Sequence, residues 1–199
     1  MDNKFPDERI KPGPSIRAGD FAEILIADFL EFICNYWVPR LRYLDKTIKN
    51  ESPKGSDVIG FKIIQSEIYS TADEMIIFEV KAAFAKSSRN ILQRAVHASA
   101  KDEIRISESL NSLKQKLIIR KELQQAKKVE RFQNILDHPY QEKSGAAAVI
   151  EKLFFDKSSL SSTITSKHYN KNCLSLIVVN GENMMSLVHD LYRRSADEA

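Results

Sequence analysis

Two apolar runs of strand length dominate the hydrophobic pattern, GSDVIGFKII over 55–64 and EMIIFEVKAAF over 74–84. Their β-branched and aromatic content favours strands over helices. A polar stretch with Ser66, Ser70, Thr71, Ala72 and Asp73 joins them, as the turn of a hairpin would. Before them, residues 18–38 predict a helix with a broad apolar face of Phe21, Leu25, Phe29, Ile33, Tyr36 and Trp37. Ile24, Ile26, Leu30 and Phe32 widen that face, which predicts burial on more than one side. Asp20 is the expected N-cap, Glu23 follows it at capping-box spacing, and Pro39 ends the helix. Residues 40–48 alternate as a strand does. Residues 1–17, with Pro6, Pro12, Gly13 and Pro14, read as an extended arm outside the core.

After Phe84 the pattern turns helical and charged. A helix is predicted through NILQRAVHASAKDEI, capped by Ser87 or Ser88. A further helical region over 106–136 carries an apolar stripe of Leu110, Leu113, Leu117, Leu123, Phe132 and Leu136. Residues 145–155, GAAAVIEKLFF, predict a short helix, and 158–166 a Ser/Thr-rich loop. LSLIVV over 174–179 predicts a buried strand, Asn180 and Gly181 a turn, and 183–194 a last amphipathic helix around Met184, Leu187, Val188 and Leu191. The expected fold class is α/β (α+β): a mixed sheet formed by an antiparallel meander and a returning strand, flanked by helices. The chain divides into the arm at 1–17 and a single domain over 18–199, with a helical insertion at about 88–140.

Composition narrows the class only mildly. With 43% hydrophobic and 29% charged residues in 199, the chain is an ordinary globular one. A net charge of +3 permits local nucleic-acid contact without arguing for it. Cys34 and Cys173 have no metal-ligand spacing and read as reduced core residues. His168 and His189 read as surface residues. The polar N-terminus and the absence of a membrane-length apolar run predict a cytoplasmic protein. The Lys- and Arg-rich segment from Lys114 to Arg131 is either a solvated helical face, a basic ridge for phosphates or a helix that docks a partner.

The candidate chemistry lies in the two strands. Glu79 and Lys81 share one face of their strand, while Phe78, Val80 and Ala82 take the other. If the strands pair as a hairpin, Asp57 comes close to that charged face. Charged groups on apolar strands are costly unless paired or bound to metal. Two converging carboxylates suit Mg²⁺ or Mn²⁺, and an adjacent lysine can orient a water or face a phosphate. The plain alternative for a Glu-x-Lys pair is a solvated strand face, and for Glu23 a structural capping role. Gln93 and His97, four residues apart on a helix, are possible accessory residues or simply solvent-facing. Lys54, Lys86, Arg89 and Arg94 are the candidate DNA contacts.

The order of a helix with Glu23, a strand opening on Asp57, and a strand carrying Glu79-Val80-Lys81 resembles the PD-(D/E)XK nuclease superfamily. Most closely it resembles the HamA-type nuclease subunit of Hachiman anti-phage defence. The resemblance implies a restriction-endonuclease-like core and a Mg²⁺- (or Mn²⁺-) dependent deoxyribonuclease acting on DNA with a helicase partner. It implies that Asp57, Glu79 and the Val80 carbonyl bind metal, that Lys81 orients the attacking water, and that Glu23 completes the acidic cluster or holds a second metal through water. Gln93 and His97 resemble a Gln–aromatic pair of some such nucleases, with His where tyrosine is usual. A non-catalytic scaffold of the same fold, or a restriction- or junction-cleaving endonuclease, would carry the same motif.

Overall fold

A computed structural model describes residues 5–41, 55–86 and 90–198. Its centre is a mixed four-stranded sheet of β1 (Val58–Lys62), β2 (Glu74–Ala83), β3 (Gln141–Glu151) and β4 (Leu174–Gly181), in that spatial order. β1 and β2 pair antiparallel, as the hairpin pattern predicted. β3 joins β2, and β4 joins β3, in parallel. Parallel neighbours need a crossover, and α2 (Ile91–Ser99), α3 (Asp102–Ile119) and α4 (Leu123–Glu130) provide it between β2 and β3. With α1 (Gly13–Asp28), α5 (Lys157–Ser161) and α6 (Met184–Asp197), the architecture is a helix-flanked α/β fold.

The inner strands β2 and β3 are buried on both faces, whereas β4, expected as a buried strand, lies at the edge of the sheet and has no fully buried residue. Ala22, Ile26 and Leu30 pack over Phe78, Val80, Ala147 and Val149 on one face, where Met184 of α6 joins them. On the other, Leu110, Leu117, Val129 and Phe132 cover Phe61, Met75 and Ile77, while Ile91 and Leu92 cover Ala83, Ala148 and Ile150. Alternate residues of β2 thus serve opposite layers, as strand geometry requires.

The helix expected over 145–155 is instead β3, the second inner strand. The alanine run favours a helix by intrinsic propensity, and a strand buried on both faces shows no polar alternation to betray it. Small side chains let helices approach from both sides: Ala146, Ala147, Ala148 and Val149 are all fully buried. Gly145 sits opposite Phe78, where an added Cβ would lie 2.4 Å from the phenyl ring. The aromatic therefore occupies the space a side chain would need.

Several boundaries also move. α1 begins at Gly13, with Pro14 in its first turn, where a missing N–H is harmless. Asp20 is therefore mid-helix and not a cap; it accepts a hydrogen bond from Tyr192 Oη at 2.8 Å. Arg17, assigned to the arm, is buried, donates to the Pro6 carbonyl at 2.8 Å and lies over the Tyr192 ring. The helix gives way to a π-helical turn over Phe29–Ile33 and ends before Asn35, whose φ of 58° is left-handed. Ile24, Phe29, Phe32 and Ile33 remain exposed, so the helix is less enclosed than its composition suggests. Beyond Leu41, the strand expected over 40–48 lies outside the described residues; Arg40 and Leu41 are not strand, while Trp37 forms an antiparallel bridge to Phe61.

Ser87 and Ser88 are likewise outside the described residues, and α2 is capped by Asn90, whose side chain accepts from Gln93 N at 3.0 Å. The long charged region divides into α3 and α4 at Lys121, which has φ of 62°. Its stripe is only partly core, since Leu123 and Leu136 are exposed. The loop expected at 158–166 holds α5 in its first residues. Asn180 and Gly181 belong to β4, and α6 starts after Asn183. Among the cysteines, Cys173 is exposed and Cys34 half-buried. His168 is buried: Asn170 N donates to its Nδ1 at 3.1 Å, and its Nε2 is 3.3 Å from Ser99 Oγ.

Candidate metal-binding active site

The β1–β2 ladder ends with Val58 opposite Phe78, which puts Asp57, the next residue out, beside Glu79. Gly55, at φ 105°, makes the left-handed turn that brings the chain into this strand. The Asp57 carboxylate then replaces the missing ladder partner: its Oδ2 accepts from Val80 N at 2.9 Å. This hydrogen bond holds Asp57 against the backbone of the Glu79–Lys81 segment.

Lys81 closes the group. Its Nζ donates to Glu79 Oε1, lies 3.9 Å from Asp57 Oδ2 and is 3.3 Å from the Val80 carbonyl oxygen. Glu79 and Asp57 are nearly buried, whereas the Lys81 side chain keeps 28% of its exposure. Burial, and next the Asp57 charge, push the Glu79 carboxyl up to about 7, with Lys81 opposing. Two carboxylates thus face one ammonium, and the excess negative charge makes Glu79 hard to ionise.

A third acidic side chain belongs to the same neighbourhood. Asp102, in the first turn of α3, is 1% exposed. Ser56 Oγ donates to its Oδ1 at 3.1 Å and lies 3.3 Å from Ser109 Oγ. Its Oδ2 has no hydrogen-bond partner among the described residues. Burial first, then the Asp57 charge, raise the Asp102 carboxyl to about 6, opposed by the Ser56 hydrogen bond, Arg105 and Lys81. The sequence offered little to mark it: Asp102 follows a helix break at Ala100–Lys101 that hydrophobic periodicity does not show.

The remaining candidates fall in different places. Glu23 is buried on α1 and shares with Asp57 the wall of a cavity of about 600 Å³, which Ser56, Arg105, Glu108 and Lys116 also line. Glu79 and Lys81 are not among its lining residues. Gln93 binds the backbone of Ile164 through both amide atoms, donating to its O at 3.1 Å and accepting from its N at 2.6 Å. It is thereby a loop clamp, one turn from the exposed His97. Lys86 and Arg94 are exposed, and Lys54 and Arg89 lie outside the described residues.

The donor set suits a hard divalent cation. Asp57 and Glu79 offer carboxylate oxygens and Val80 an adjacent carbonyl, and Mg²⁺ binds through one or two carboxylates while keeping several waters. Among the described residues, no three His, Cys, Asp or Glu side chains are close enough to hold one ion together. A cation here would therefore keep part of its hydration shell.

No helix among the described residues is long and apolar enough to cross a membrane. No curated protein and no solved structure matches the chain. A family model does match, over residues 1–195, which takes in Glu23, the Asp57 turn and the Glu79-Val80-Lys81 strand. The chain belongs to the HamA family, the HamA-type component of Hachiman antiviral defence.

Proposed function

We propose that this chain is a divalent-cation-dependent deoxyribonuclease, the nuclease subunit of an antiviral defence complex with a helicase partner. The observation that carries the reading is the convergence of Asp57, Glu79 and Lys81 at the end of the β1–β2 ladder. Family membership supports the defence role. Asp57, Glu79 and the Val80 carbonyl are the residues that would hold Mg²⁺ or Mn²⁺, which would supply Lewis-acid stabilisation of charge on the scissile phosphate.

The chain's own groups do the rest. Val80 N keeps Asp57 in place, and Lys81 Nζ engages Glu79 beside it. Lys81 presents a partly exposed ammonium between them, where it can orient the attacking water and face the phosphate. In the reaction the water oxygen bonds to phosphorus and gives up a proton to solvent, as the bond to the leaving sugar oxygen breaks and that oxygen takes up a proton from solvent. Glu23, across the cavity from α3, adds negative charge on the side of Asp57. Gln93 plays no part in this reading, because Ile164 engages its amide.

The test is cleavage of linear and supercoiled DNA in Mg²⁺ by the wild type and Lys81→Ala, alone and with the co-purified partner. Cleavage by the wild type that the variant loses supports the site. No cleavage under any condition, with the protein folded and partnered, would assign the chain to a scaffold role.

A further inference from the structure

The motif accounts for Asp57, Glu79 and Lys81 but leaves Asp102 without a task. A buried carboxylate is costly to keep in a fold unless hydrogen bonds, a cation or protonation offset its desolvation. Asp102 meets half of that condition: Oδ1 accepts from Ser56 Oγ, while Oδ2 has no donor among the described residues. An orphaned buried oxygen of this kind calls for an explanation such as a water or an ion.

Its position supplies one. Ser56, its partner, immediately precedes Asp57 in the turn into β1, and Ser109 of α3 touches the same hydroxyl. The start of α3 is therefore fastened to the turn that carries a candidate metal ligand. The charge of Asp102 is felt at Glu79, and the charges of Asp57 and Lys81 are felt at Asp102. Three carboxylates on three separate elements feel one ammonium, and the exposed Arg105 guanidinium acts on Asp102.

We infer that Asp102 is a further acidic member of the site, whose Oδ2 accepts a hydrogen bond from a water on the cation that Asp57 and Glu79 hold. The contact is placed through water because, among the described residues, no three acidic side chains are close enough to ligate one ion directly. Such partners of a metal's own ligands and waters commonly set its affinity. The inference rests on the nuclease reading above, and it names a residue that the strand motif does not contain.

Calorimetric titration of metal-free protein with Mn²⁺ tests it. Asp102→Asn is nearly isosteric and keeps an acceptor for Ser56, but it replaces the orphaned oxygen with a group that cannot accept. We expect Mn²⁺ affinity to fall about tenfold or more, with no loss of thermal stability in EDTA. Ser56→Ala removes the clamp and leaves the carboxylate, and should keep most of the affinity. If Ser56→Ala reproduces the full loss, Asp102 merely props the turn and the inference is overturned. It is overturned equally if Asp102→Asn binds Mn²⁺ as the wild type does while Asp57→Asn does not bind. If the wild type itself binds no Mn²⁺, the nuclease reading falls and takes this inference with it. Asp102→Ser, which leaves room for water, repeats the measurement should the Asn variant not fold.

Discussion

Glu79→Gln should make the metal-free protein more stable while abolishing the DNA cleavage proposed above. Glu79 has its carboxyl raised from 4.5 to about 7 by burial and by Asp57. Because the folded value lies above the unfolded one, the protonated form is the one the fold favours. That contribution is complete below about pH 4.5 and is lost as pH rises through about 7. At pH 8 the carboxylate is ionised in both states, and the difference makes folding less favourable by about 3 kcal/mol at most. At pH 5 most of that penalty is gone, leaving about 1 kcal/mol or less by the same linkage. Gln has nearly the same shape and can still accept from Lys81 Nζ. Urea unfolding in EDTA at the two pH values is the assay, with the midpoint converted to free energy through a common slope. The expected result is a variant more stable than wild type by roughly 1–3 kcal/mol at pH 8, with the gap narrowing at pH 5. A variant less stable at pH 8, or a gap independent of pH, would refute the view that Glu79 is a strained functional carboxylate. It would show a settled structural ion pair with Lys81 instead.

Gly145→Ala should destabilise by about 1–3 kcal/mol or more, since its Cβ would meet the Phe78 ring at 2.4 Å; a wild-type urea midpoint would contradict this packing. Arg131→Met should lower stability by about 3–5 kcal/mol in the same assay. It leaves Asp73 buried without its guanidinium partner, whose Nε donates at 2.6 Å, and frees the Ser66 and Ile68 carbonyls that Arg131 holds. Burial depresses the His168 titration, and Asn170 N donates to its Nδ1, which requires that nitrogen unprotonated. Its contribution is therefore present above the ordinary 6.5 and lost as pH falls below it, with Glu103 alone among nearby charges opposing. His168→Gln should flatten the drop in melting temperature between pH 7 and pH 5; an unchanged drop would place the titration elsewhere.

Local patterning determined much of this protein. The β1–β2 hairpin, the sharing of one face by Glu79 and Lys81, the final strand and helix, and the helical character after Ile91 all follow from side-chain period and turn chemistry. The approach of Asp57 to Glu79 also follows, because a hairpin leaves its ladder-end residues adjacent. Burial of the inner strands on both faces was decided only by tertiary structure, and it hid β3: an Ala-rich strand enclosed by α1 and α2 has neither polar alternation nor β-branched excess. The start of α1 was obscured for a related reason. Gly13 and Pro14 look like chain breakers, yet Arg17 belongs to a buried face because Tyr192, far along the chain, offers its ring. Glu23 has capping-box spacing after Asp20, but the helix begins at Gly13 and places both inside it. Asp102 was the least visible residue. Its burial, its bond to Ser56 and its orphaned oxygen arise from contacts across dozens of residues, and hydrophobic periodicity carries no record of them. The carboxylates of one hairpin could be read from the order of residues, whereas the charge balance around them depends on which helix packs against the turn.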